Sequence, residues 1–199
     1  VLADDETGAW YRDRVQILAI PFADKDGVED GDQGKGRAPR DHGRDYEGTS
    51  LYPECATLRE WLPAWADGRL RVALDIHCPW IRGEHNEHIY QVGDREPAAW
   101  AAQQRFAQAL RAVQQGPLVY DPDDDLPFGM AWNTGKNYAG GRSFRRWAVD
   151  RFPDLVLGSS FEIPYANHKA ETMTPDKART FGRDVARALQ VDVQQQVGG

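Results

Sequence analysis

The sequence predicts an α/β domain, a sheet with helices on both faces. Two short apolar runs bounded by turn signals, Leu70–Ile76 and Leu155–Ile163, read as fully covered strands. Segments with helical spacing of apolar residues alternate with them, the pattern of a sheet covered by helices. The first run gives way to a loop at His77, and the second carries one carboxylate, Glu162, between Phe161 and Ile163. Ligands of open α/β sheets bind outside the carboxyl ends of the strands. A carboxylate inside an apolar strand is costly unless it is paired, bound to metal or catalytic.

The elements follow in chain order. Asp4–Arg14 reads as the end of a helix, with Trp10 and Leu2 on its buried side. Val15–Ile20 (VQILAI) reads as a strand, and the Gly-rich Pro21–Tyr46 as a long polar loop. Thr57–Trp65 is helical, with Leu58, Trp61, Leu62 and Trp65 on one stripe and a start at Tyr52-Pro53-Glu54, because proline suits a first turn. The Leu70–Ile76 strand comes next, and Ile89–Val92 is a short further strand. Pro97–Gln115 is the clearest helix: Trp100, Phe106, Leu110 and Val113 recur at helical spacing, and Gly116-Pro117 ends it. Asp121–Gly141 is a second long loop, in which Asp123-Asp124-Asp125 reads as solvated. Ser143–Phe152 is helical, the Glu162 strand follows, and Thr174 caps a last helix that begins at Pro175 and runs to Leu189.

A chain of 199 residues that is 41% apolar buries the core of one domain. Its net charge of -7 argues against nucleic acid or an anionic membrane surface as partner. No apolar run is long enough to span a bilayer as a helix. Cys55 and Cys78 are too few for a disulfide framework; they pair or stay free, and the compartment stays open.

The first long loop carries Asp24-Lys25-Asp26-Gly27-Val28 and, further on, Asp41-His42-Gly43-Arg44-Asp45-Tyr46. With the Asp75-Ile76-His77 strand end and Phe161-Glu162, this ordered set resembles the zinc metallocarboxypeptidases related to carboxypeptidase A, over about Val15 to Leu189. In that family a strand leads into Asn-Pro-Asp-Gly, then Asp-x-Asn-Arg, then a strand ending in the third zinc-binding histidine, then a strand with the catalytic glutamate. The resemblance implies a three-layer α/β/α domain with a mixed, mostly parallel sheet. It implies zinc-dependent hydrolysis of a peptide or amide bond beside a free C-terminal carboxylate, on a peptide or N-acyl amino acid substrate. His77 would bind zinc and Glu162 would act as general base and acid. Arg44 would anchor the carboxylate, since its planar fork suits a carboxylate bidentately. Gly43 stands where the family has an amide side chain, and Tyr138 is the nearest match to the family's mobile tyrosine.

The family's first two zinc ligands come from an H-x-x-E motif, and none precedes His77. Residues 1–199 are therefore expected to be the larger, C-terminal part of a single catalytic domain, with two further ligands upstream of Val1. The arginine that polarises the scissile carbonyl has its place near Gly34; Lys35, Arg37 and Arg40 are all stand-ins. Glu84-His85-Asn86-Glu87-His88 reads as a polar loop beside the cleft rather than a metal site, and the Gly135–Gly141 stretch as a lid. A deacylase or amidase of the same fold, and a metal-free relative that binds peptide C-termini, are the two rival readings.

Overall fold

The computed structural model describes residues 5–32, 34 and 37–197, a mixed α/β fold around a small sheet. Strand β1 (Val72–His77) leads in sequence to the two-residue β2 (Tyr90–Gln91) and then to β3 (Leu157–Glu162). β3 lies in the middle: β1 runs parallel to it on one side and β2 antiparallel on the other. A separate ribbon pairs β4 (Asn167–His168) with β5 (Glu171–Thr172).

All six residues of β3 are buried, as a strand covered on both faces requires. Its side chains alternate between two cores. Leu157 and Phe161 join Ile89, Phe106, Leu110 and Phe181. Gly158 points the other way, where an added Cβ would lie 2.6 Å from Val149 Cγ2. The β1 residues divide likewise: Val72 and Leu74 pack on the first core, and Ala73 belongs to the second, with Leu62, Trp147 and Phe152.

Six α-helices lie among the described residues, and the fourth and fifth pack directly on β3. α1 (Glu6–Arg14) and α2 (Lys25–Glu29) are short, and both start at an aspartate whose side chain accepts a backbone N–H two or three residues into the helix. α3 (Pro53–Ala66) begins at the expected proline. α4 (Pro97–Val113) buries Gln103, Phe106, Ala107 and Leu110, one stripe at helical spacing. α5 (Phe144–Arg151) is capped by Ser143, whose oxygen accepts from the Arg146 N–H. α6 (Pro175–Val197) is capped by Thr174 and runs past Leu189, because nothing in 190–197 breaks a helix. It lies along α4, with Arg105 Nε 2.7 Å from the buried Asp192.

Several expectations are corrected. Val15–Ile20 forms no strand: no described strand pairs with it, and Ile17 and Ile20 are 57% and 50% exposed. β1 is not fully covered. It is an edge of the sheet among the described residues, and Ile76 is 57% exposed. Tyr11 rather than Trp10 anchors α1, its hydroxyl donating to the Ala186 carbonyl at 2.9 Å; Leu2 lies outside the described residues. Trp61, placed on the buried stripe of α3, is largely exposed and stacks on Trp65. The acidic run is not simply solvated. Asp125 accepts from the Gln91 N–H and the Tyr120 hydroxyl, both at 2.7 Å, and Asp124 lies 2.7 Å from Lys169 Nζ.

Candidate active site

His77 and Glu162 are register partners, the last residues of two adjacent parallel strands. Paired residues of parallel strands present their side chains on one face, so both stand side by side at the carboxyl end of the sheet. Asp75 is on the same face two residues earlier, and its Oδ1 lies 2.9 Å from His77 Nε2. Burial opposes ionisation of Asp75. The His77 ring, with the more distant Arg145 and Arg44, outweighs that and holds the carboxyl below the usual carboxylate range. A carboxylate gripping one imidazole nitrogen fixes the ring's orientation.

Glu162 is itself buried. Tyr90 is its partner on the β2 side. Burial and then the charge of Glu162 push the Tyr90 hydroxyl above its ordinary range, and the same two causes raise the Cys78 thiol. Cys78 and the buried Cys55 are both free thiols.

The turn at 42–44 lies across this strand end. A Cβ on Gly43 would stand 3.6 Å from His77 Cε1 and 3.4 Å from Asp41 Oδ1, so the missing side chain at Gly43 leaves room beside the histidine. Arg44 Nη1 donates to the Gly43 carbonyl at 2.9 Å, and its guanidinium sits 4.7 Å from the centre of the Tyr138 ring. Such stacking orients the cation without neutralising it. Tyr138 is tied in turn, its hydroxyl donating to Asn133 Oδ1 at 2.9 Å, while Asn133 is buried and donates to two carbonyls. Gly141, at φ +147°, passes so close to Arg44 that any side chain would collide with the Arg44 carbonyl oxygen.

Asp45 is the clamp that sets this turn. It is fully buried and accepts from the Leu51 and Tyr52 N–H groups and from Arg40 Nε at 2.6 Å. Burial works against its charge, and these donors outweigh it, so its carboxyl lies below the usual range.

His77, Glu162, Gly43, Arg44 and Tyr138 are thus placed around one strand end by a register, a glycine contact and a stacked ring. Other candidates are elsewhere engaged. Arg37 pairs with Asp24 at 2.8 Å and Asp32 at 3.1 Å, Arg40 is held by Asp45, and Lys35 lies outside the described residues. His88 faces Asp124 at 3.1 Å, and the His85 ring packs on Tyr90.

Catalytic zinc takes three protein ligands. Among the described residues no three His, Cys, Asp or Glu side chains converge as a metal group, and His77 offers one ring to such a site. The described residues by themselves do not fit a zinc centre.

Two residues escaped the sequence reading. Asp75 had a signal, the two-residue spacing that puts it on the face of His77. Arg145 had none: it is one of three arginines in a short helix, yet it is 4% exposed and ion-paired with the buried Asp94.

No family model and no curated protein matches the chain. Two solved structures resemble it. One, a metallo-carboxypeptidase of Pseudomonas aeruginosa in complex with (2-guanidinoethylmercapto)succinic acid, is 20% identical over 71% of this chain and 36% of its own, with a TM-score of 0.43. The other, a candidate carboxypeptidase A of Shewanella denitrificans, is 17% identical, with a TM-score of 0.57. The chain spans 45% of that protein's length, and across 87% of its own it is similar in fold to a carboxypeptidase A-like structure.

Proposed function

We propose that this chain carries the carboxylate anchor and the general base of a hydrolase that cleaves a peptide or amide bond next to a free C-terminal carboxylate. The observation that carries the reading is the register of His77 with Glu162 at the strand ends, with the Gly43-Arg44 turn laid beside them. The alternation of β1 and β3 side chains between two helix-covered cores supports a three-layer α/β/α arrangement of the carboxypeptidase A kind.

Each residue has a task it suits. Arg44, laid over the Tyr138 ring and held by the Gly43 carbonyl, offers the remaining donors of its fork to a substrate carboxylate. That fixes the bond one residue inward over Glu162. Glu162 takes a proton from the attacking water and returns it to the leaving amine. Asp75 holds the His77 ring beside it. Zinc bound at His77, with ligands beyond the described residues, belongs to the same proposal.

N-acyl dipeptides with free and amidated C-termini test the reading directly. The free acid is expected to be cleaved and the amide spared. Glu162→Gln should lower kcat by about 10²–10⁴-fold with binding retained. Arg44→Ala should raise KM and erase the difference between acid and amide. Equal cleavage of the amide by the unaltered chain would sink the anchor. Elemental analysis of the same sample reads its zinc.

The Arg44–Tyr138 pair favours a second reading: binding of peptide C-termini without cleavage. Tight binding of the free acid, with no product from either the unaltered chain or Glu162→Gln, would establish it.

A further inference from the structure

Tyr138 lies against Arg44 and also lines a cavity of about 230 Å³, whose wall includes Arg95, Arg142, Arg145 and Arg146. At about 30 Å³ per water, that space holds a short side chain with water to spare.

The charges of the wall form a chain. Arg142 reaches Glu47 at 3.4 Å, near the exposed rim, and Asp150 at 2.9 Å. Arg146 pairs with Asp150 and lies 3.2 Å from Asp94. Arg145 pairs with Asp94 as well. At the buried end, then, two guanidinium groups share one carboxylate. Arg95 adds a further cation, and its own partner, Glu96, is not part of the wall. Four arginines thus meet three lining carboxylates: Arg95, the fourth, is exposed and pairs outside the wall, while Arg145 and Arg146 share Asp94 at the buried end. Arg145 is also 4% exposed, and its Nε is buried with no hydrogen-bond partner. An unmet donor on a buried cation costs free energy, and an anion placed there recovers it.

We propose that this cavity takes the side-chain carboxylate of the residue whose main-chain carboxylate Arg44 holds, so that the preferred substrates end in glutamate or aspartate. The proposal rests on the anchoring role of Arg44. An aliphatic side chain leaves the Arg145 donor unmet, and a basic one faces the arginines.

N-acetyl-L-glutamate and N-acetyl-L-leucine, titrated into the ¹⁵N-labelled chain and followed by NMR, test it. The glutamate derivative should bind at least about tenfold tighter and shift the Arg145 Nε–H signal, which the leucine derivative leaves in place. Arg146→Gln, at a partly exposed position, should remove most of the preference and leave leucine-derivative binding as it was. No preference for glutamate, an unmoved Arg145 signal, or no binding at millimolar concentration would overturn the proposal. Leucine-derivative binding that Arg44→Ala abolishes would then leave the anchor standing. Glutamate binding that keeps its Arg145 shift but ignores Arg44→Ala would instead keep the acidic cavity and remove the anchor.

Discussion

At the scale of single residues, Glu162 broadcasts its charge to its neighbours. The Cys78 thiol feels it, after burial, and is raised by both. A thiol above its ordinary range is a poor nucleophile near neutral pH, since the thiolate is the reactive form. Replacing Glu162 with Gln removes the charge and leaves the burial. Alkylation of Cys78 at pH 8 should therefore speed up several-fold in Glu162→Gln, as read by mass spectrometry after timed iodoacetamide treatment. An unchanged rate would mean that Glu162 is not ionised in the native chain. Cys55 serves as the control: burial first of all pushes its thiol up to about 11, and it should stay unreactive in both forms.

At the scale of elements, the seam between β3 and α5 decides where Arg145 sits. Gly158 leaves space for Val149, and a Cβ there would also come 3.8 Å from Arg145 Cγ. Gly158→Val should push α5 off the sheet, destabilise the fold by about 1–3 kcal/mol through overpacking, and lower affinity for acidic ligands more than for aliphatic ones. Urea denaturation with the two N-acetyl ligands separates those effects. The elements also show what the sequence could say. β3, α4 and α6 were legible because each buries its own pattern: a short, mostly uncharged run in the first, a helical stripe in the other two. Val15–Ile20 misled for the opposite reason. A strand exists only when a neighbour accepts its hydrogen bonds, and apolar composition does not supply the neighbour. Likewise His77 was visible at a strand end and Glu162 as a carboxylate inside an apolar strand, but their register was not, because register is set by the pairing of distant segments. Arg145 and Asp94 are 51 residues apart in sequence and meet only in the fold.

At the scale of the whole molecule, stability answers to groups with opposing tendencies. The fold holds Asp45 and Asp75 below their usual range, so it draws stability from them above about pH 4 and loses it as pH falls through their lowered values. His168 works in the same sense. Burial first of all lowers its pKa, and it accepts the Ile89 N–H at 3.1 Å as a neutral ring, so acid that charges it costs stability below about pH 6.5. Asp125 runs the other way: burial, outweighing its donors, raises it from 3.8 to about 6. Its folded form holds a proton more tightly than the unfolded chain, so its contribution is full below about pH 4 and fades by about pH 6. Between pH 7 and 4 the native chain should gain about 2 kcal/mol relative to Asp125→Asn, measured by denaturant melts at each pH.

The uncovered flank of β1 and the bare apolar stretch before Asp24 have a consequence in the test tube. Ile17, Leu18, Ile20 and Phe22 lie exposed in a segment without regular structure, and β1 is an edge of the sheet among the described residues. Unprotected edges and exposed β-prone runs are templates for self-assembly. The net charge of -7 opposes that by mutual repulsion, and salt screens the repulsion within about 8 Å at physiological strength. The purified chain should therefore stay clear in dilute buffer and cloud as salt and concentration rise. Ile17→Lys, which places a gatekeeper charge in the run, should delay the onset of light scattering without moving the melting temperature.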